Sequence, residues 1–177
     1  VDLDSLPPYV PKAFIAIEDR WFYWHPGFNP WGILRSQIYN MQNKGGPLRG
    51  GSTITQQLAR NLFLTPSQNY RRKAQELILA MWLEAKFSKK EILSLYLNRV
   101  YFGGGAYGIE AASQRYFGKP ASQLTLGESA LLAGMNTASE YGFGAVIAAL
   151  PGFLVVANAL GSIPNPLVNE AVTVTAL

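Results

Sequence analysis

A mainly α-helical fold is predicted by three observations. Three Ser/Thr-x-x-Glu/Gln spacings, at Thr53–Gln56, Ser88–Glu91 and Thr125–Glu128, mark helix starts. Apolar residues recur at helical intervals behind each of them. No segment within residues 1–135 shows the apolar/polar alternation of a half-buried strand.

The elements follow in order. Pro7, Pro8 and Pro11 predict an extended lead-in, and AFIAIEDRWF predicts a short apolar helix from Ala13 to about Phe22. Trp21–Trp31 is aromatic and broken by Pro26, Gly27 and Pro30, so it reads as an ordered loop. Residues 31–43 predict an amphipathic helix, and KGGPLRGG at Lys44–Gly51 has a loop composition. A helix is expected from Thr53 to about Leu64. In the next one, residues 71–87, Ala74, Leu77, Ile78, Met81, Leu83 and Ala85 lie near one apolar stripe. KEILSLYLNRV continues as a helix, Gly103–Gly105 break it, 108–117 resume, and LGESALLAGM follows the third cap. From Glu140 to Glu170 no charge intervenes. That apolar stretch is interrupted by Pro151, Gly152 and Asn158, so a simple membrane-spanning helix is not expected there.

Composition narrows the function. The 177 residues are 49% hydrophobic and only 15% charged, which excludes disorder, collagen and coiled coil. Without cysteine and with a single histidine, thiolate and multi-histidine metal sites are excluded. All 15 Lys and Arg fall within residues 1–135 against nine acids, whereas 136–177 hold only Glu140 and Glu170. A basic body suits an anionic partner such as a phosphorylated substrate or anionic lipid. The opening VDLDSLPPYVPKAF lacks the basic and apolar regions of a signal peptide, so no export signal is expected within it.

Three places could carry chemistry. Glu18 and Asp19 follow five apolar residues in AFIAIED, and an acid desolvated at the edge of an apolar helix suits general acid–base work; a solvated helix-end pair is the bland alternative. GGSTITQQLARN joins a glycine pair to a helix start whose N–H groups could bind an anion, with Gln57 and Arg60 a turn apart; an ordinary capped helix explains it equally. It is not a P-loop, because Lys followed by Ser or Thr is missing. Arg71-Arg72-Lys73 open the next helix against its macrodipole, which asks for an anion among them, with Glu76 one turn after Lys73. His25 in its Trp-His-Pro-Gly turn is expected to be structural. The scattered cations match no nucleic-acid motif.

Together these blocks resemble the peptidoglycan glycosyltransferases of family 51, the polymerase domain of class A penicillin-binding proteins and of monofunctional biosynthetic transglycosylases. AFIAIEDRWFYWHPG resembles the first motif, GGSTITQQLARNLF the second and RRKAQELILAMWLE the third. KKEILSLYLNRVYFGGGAYGIEAASQRYFGK resembles the fourth and LTLGESALLAGM the start of the fifth. The resemblance implies a lysozyme-like helical lobe with a small membrane-proximal jaw at about 28–49, residues 1–135 forming the core. It implies polymerisation of lipid II into β-1,4 glycan with inversion and release of undecaprenyl pyrophosphate. Glu18 would be the catalytic base supported by Asp19, and Glu76 the second carboxylate, organising Lys73. Ser52, Gln56, Gln57, Arg60, Arg72 and Lys73 would bind the donor pyrophosphate. A divalent cation, Mg or Mn, could sit on that pyrophosphate, with no organic cofactor. Implied partners are lipid II, the lipid-linked chain and the membrane surface, with an attached transpeptidase domain or divisome and elongasome proteins as further candidates and no nucleic acid. The implied location is the extracytoplasmic face of the bacterial cytoplasmic membrane. Two departures stand out: Ser67-Gln68-Asn69 where many relatives carry an Arg, and an atypical apolar 136–177, either membrane-contacting or completing the fold, in place of a Pro-rich continuation. The rival readings are a lytic transglycosylase or lysozyme-like hydrolase, and an inactive scaffold in a wall-synthesis complex.

Overall fold

The computed structural model describes residues 1–43, 50–64 and 70–140; the side chains of Asn40, Tyr70 and Glu140 lie outside the description. Seven α-helices and three short 3-10 turns make up the described residues, with no strand among them beyond a single Tyr101–Tyr107 bridge. Part of the expected jaw, 44–49, and the apolar stretch from 141 onward lie outside the described residues.

Two compact units divide the chain. The first is Val1–Glu18 with the chain from Leu97 onward. Its lead-in is a 3-10 turn at Leu3–Ser5, capped by the Asp2 side chain, which accepts from the Asp4 N–H. Helix α1, Tyr9–Glu18, starts four residues earlier than predicted and stops four residues earlier. Pro11 falls in its first turn, where a missing N–H costs nothing because that group has no intrahelical acceptor. After helix α5 (Lys89–Arg99), which crosses the unit boundary, the chain turns through a glycine loop into α6, Ile109–Phe117. Gly108 has φ +80°, and a Cβ there would lie 2.6 Å from the Asn98 carbonyl oxygen, so only glycine fits. Gly118 ends α6 in the left-handed conformation.

Helix α7, Leu126–Glu140, opens with the predicted Thr125–Glu128 box, the Glu128 carboxylate accepting from the Thr125 N–H at 2.7 Å. It runs through residue 135, so the sequence-based core boundary falls inside a helix. Helices α1 and α7 pack together. Phe14 is fully buried and meets Phe102 edge-on, ring centroids 5.8 Å apart, beside buried Val10, Leu131, Leu132 and Met135.

The second unit is Asp19–Tyr96. It holds α2 (Pro30–Gln42), α3 (Ile54–Phe63), α4 (Tyr70–Lys86) and most of α5. Asn29 caps α2 by accepting from the Gly32 N–H, with Pro30 in the first position. Thr53 and Gln56 make the predicted reciprocal cap of α3. Helices α3 and α4 pack together, burying Ile54, Leu58 and Ala59 on one and Ala80 and Leu83 on the other.

Of the stripe expected on α4, only Leu83 is buried. Ile78 is 63% exposed and Met81 40%, whereas the buried line is Glu76, Ala80 and Leu83, at helical spacings of four and three. A pattern that scores acids as polar cannot see a face whose first buried member is a carboxylate. Trp82 instead forms an exposed edge-to-face ladder with Phe63 and Phe87.

Candidate functional site

The candidate residues form two groups, one within each unit. In the first unit Glu18 is the last residue of α1, half-buried. Its Oε1 accepts from the Asn136 amide at 2.9 Å and from the Thr137 hydroxyl at 2.5 Å. Asn136 is fully buried, and Thr137 Oγ1 also lies 3.2 Å from the Ala133 carbonyl oxygen. Neither residue was among the sequence candidates. They lie 118 and 119 positions from Glu18, and no local pattern links them to it.

Asp19 turns to different partners. Its carboxylate accepts from His25 Nε2–H at 2.8 Å and from the Ile54 N–H at 3.1 Å, all buried. Gly27 N–H donates to His25 Nδ1, so Nδ1 is the bare nitrogen and Nε2 carries the proton. The histidine, expected to be structural, links Asp19 to the Gly27 backbone. Thr53 Oγ1 donates to the Gly27 carbonyl, tying the 19–27 loop to the start of α3. The anion at this helix terminus is therefore Asp19 itself. Gly51, in the adjacent glycine pair, has a packing reason too. A Cβ there would sit 2.6 Å from Ser36 Oγ and 2.9 Å from Ile33 Cα.

The second group lies along α4. Lys73 Nζ donates to Ser52 Oγ at 2.7 Å and to Glu76 Oε2 at 2.8 Å. Arg72 Nε stands 3.5 Å from Glu76 Oε1. Glu76 is 1% exposed while the Lys73 side chain is 45% exposed. Burying a carboxylate costs several kcal/mol unless it is paired (of order 3–5 kcal/mol on losing a partner), and the two cations at the start of α4 provide that pairing. They are also the anion-seeking charges that the sequence placed against the macrodipole. The ammonium stays accessible and is held in position, which suits an anion stabiliser.

The other donor-side candidates are placed differently. Gln56 Oε1 accepts from the Thr53 N–H within the cap, at 3.1 Å. Gln57 Oε1 accepts from the Tyr96 hydroxyl at 2.9 Å. Both are buried, and Arg60 lies half-buried a turn further along α3. So the structure brings Ser52, Arg72, Lys73 and Glu76 together and gives both glutamines structural bonds.

An apolar cavity of about 670 Å³ lies in the same unit, lined by Trp21, Trp24, Phe28 and Trp31 with Arg35 at its side. Trp24 and Trp31 are largely exposed, and Leu34, Ile38 and Met41 continue the exposed apolar surface along α2. Among the described residues no helix is long and apolar enough to cross a membrane.

The sequence model of the transglycosylase family matches residues 1–144. Penicillin-binding protein 1A of Aquifex aeolicus is 51% identical over 138 residues, 78% of this chain and 19% of that protein. Penicillin-binding protein 1A of Escherichia coli is 51% identical over 78% of this chain and 16% of its own length. The biosynthetic peptidoglycan transglycosylase of Azoarcus sp. is 47% identical over 76% of this chain and 58% of its own length. The chain thus spans under a fifth of these penicillin-binding proteins and little more than half of the transglycosylase.

Proposed function

The chain belongs to the transglycosylase family, and on that premise we propose that it is a peptidoglycan glycosyltransferase that polymerises lipid II into β-1,4 glycan strands. The observation that carries the reading is the accessible Lys73 ammonium, fixed between Ser52 and the buried Glu76 with Arg72 beside it. A pyrophosphate leaving group gains more from fixed cations than from a proton. A glycan hydrolase, whose leaving group is a sugar hydroxyl, has no use for them.

In the reaction, a hydroxyl of the acceptor sugar attacks the anomeric carbon of the donor, forming the glycosidic C–O bond. The bond from that carbon to the pyrophosphate oxygen breaks, with inversion. The hydroxyl's proton passes to Glu18, and undecaprenyl pyrophosphate leaves as an anion stabilised by Lys73, Arg72 and Arg60. The nucleophile is weak without a base, which is why a carboxylate is needed at all.

Among the described residues no preformed cluster for a resident divalent cation stands out: no group of three His, Cys, Asp or Glu side chains could hold one, and Glu76 already faces two cations. Mg or Mn enters this reading only as an ion carried by the pyrophosphate.

The exposed tryptophans and aliphatic residues of 21–41 support contact with the outer surface of the cytoplasmic membrane, where lipid II is presented. Trp and Tyr side chains favour that interface, with an apolar body and a polar edge. An attached transpeptidase domain and wall-synthesis complexes are consistent partners.

Incubating the chain with labelled lipid II in detergent tests the activity. Polymer is expected from the parent and none from Glu18→Gln or Lys73→Ala. Normal polymer from Lys73→Ala would remove the pyrophosphate assignment, and shortening of preformed glycan in place of growth would favour the hydrolase.

A further inference from the structure

We propose that Asn136 and Thr137, on α7, are positioning residues for Glu18, holding its carboxylate in one rotation for proton transfer. This rests on Glu18 being the base of the glycosyl transfer.

Both donors converge on one oxygen, Glu18 Oε1, from successive residues of the same helix. A carboxylate at the end of an isolated helix rotates freely about its last torsion, which is broad and has two equivalent minima. Two donors fixed by a packed helix leave it one. Both bonds are charge-assisted while Glu18 is ionised, which makes them shorter and stronger than neutral ones. The Asn136 amide is fully buried, so the bond it makes to Oε1 supplies a partner that water cannot replace.

Thr137 adds a second property. Its hydroxyl has one proton and two acceptors in reach, Glu18 Oε1 at 2.5 Å and the Ala133 carbonyl oxygen at 3.2 Å. While Glu18 is a carboxylate, the charged acceptor holds that proton. Once Glu18 has taken the proton from the acceptor sugar, the hydroxyl can turn to Ala133 without leaving a buried donor unpaired. Nothing is transferred through Thr137: its O–H bond stays intact throughout. The residue steadies the base before the step and tolerates its neutral form afterwards.

Thr137→Val, isosteric but without the hydroxyl, is the first variant to measure, beside Thr137→Ser, which keeps it. With lipid II as substrate, Thr137→Val should lower kcat by about 10- to 100-fold, the size of one bond to a charged group. KM should stay within about twofold, because Thr137 acts on the base and not on the bound substrate. Thr137→Ser should stay within about threefold of the parent in kcat, and both should melt within about 4 °C of it. Asn136→Leu risks the fold, so the threonine pair carries the test.

The proposal is overturned if Thr137→Val keeps the parent kcat, if its loss falls on KM, or if Thr137→Ser loses as much as Thr137→Val. Glu18→Gln, measured alongside, separates the two layers. An inactive Glu18→Gln with a fully active Thr137→Val removes the positioning role alone, whereas an active Glu18→Gln removes the base assignment and this proposal with it.

Discussion

Adjacent in the chain, Glu18 and Asp19 do unlike work, and the difference lies in what each carboxylate accepts from. Glu18 takes side-chain donors of α7, while Asp19 takes a ring N–H and a helix-terminal backbone N–H. Asp19→Ala should therefore act on stability first. It leaves the buried His25 Nε2 and Ile54 N–H without their acceptor, at a cost of about 2–4 kcal/mol, read as a lower urea midpoint. A variant as stable as the parent would show that water reaches both groups. Lys73 and Glu76 are a matching case at one site. The lysine's role lies in its accessible charge, and the glutamate's in keeping that charge in place from a buried position.

Among the elements, α6 shows how two glycines at the ends of one helix differ in kind. Gly108 combines φ +80° with a Cβ that would meet the Asn98 carbonyl at 2.6 Å. Gly118 has φ +65° and open space around its Cβ. Gly118→Ala should cost only the left-handed backbone penalty, about 1–2 kcal/mol. Gly108→Ala adds a collision with backbone that cannot swing aside and should cost clearly more, about 3 kcal/mol or above. Thermal denaturation of the two variants checks this, and equal losses would mean that the 98–108 turn relaxes freely. At α5, Ser88 holds the Glu91 carboxyl below its usual range by hydroxyl and backbone donation. That cap is in force above the ordinary carboxylate pKa and fades as pH falls through the lowered one.

For the molecule as a whole, alkaline stability has an identifiable contributor in Tyr116. Burial pushes its phenol above the usual value of 10, against the opposing charge of Arg115, and the neutral hydroxyl donates to the Phe102 carbonyl at 3.0 Å. The folded state then holds this proton where the unfolded state has released it. The contribution is present below pH 10 and lost as pH rises through the raised pKa. Tyr116→Phe should accordingly flatten the decline in stability above pH 10 relative to the parent, measured by urea unfolding at two alkaline pH values; an unchanged slope would place the sensitivity elsewhere. Most of the helix starts and the family were legible in the sequence alone. Caps act over three residues, and the motifs are contiguous runs such as STITQQLARN. The Arg-Arg-Lys run against its dipole likewise asked for an anion nearby, because the electrostatics of one helical turn are local. Three further matters were left to the tertiary structure: which face of α4 is buried, that Asp19 answers His25 and Ile54, and that Asn136 and Thr137 hold Glu18. Apart from His25, six residues from Asp19, the Asp19 and Glu18 partners lie 35 to 119 residues away, and all are brought together by packing whose geometry no local spacing encodes.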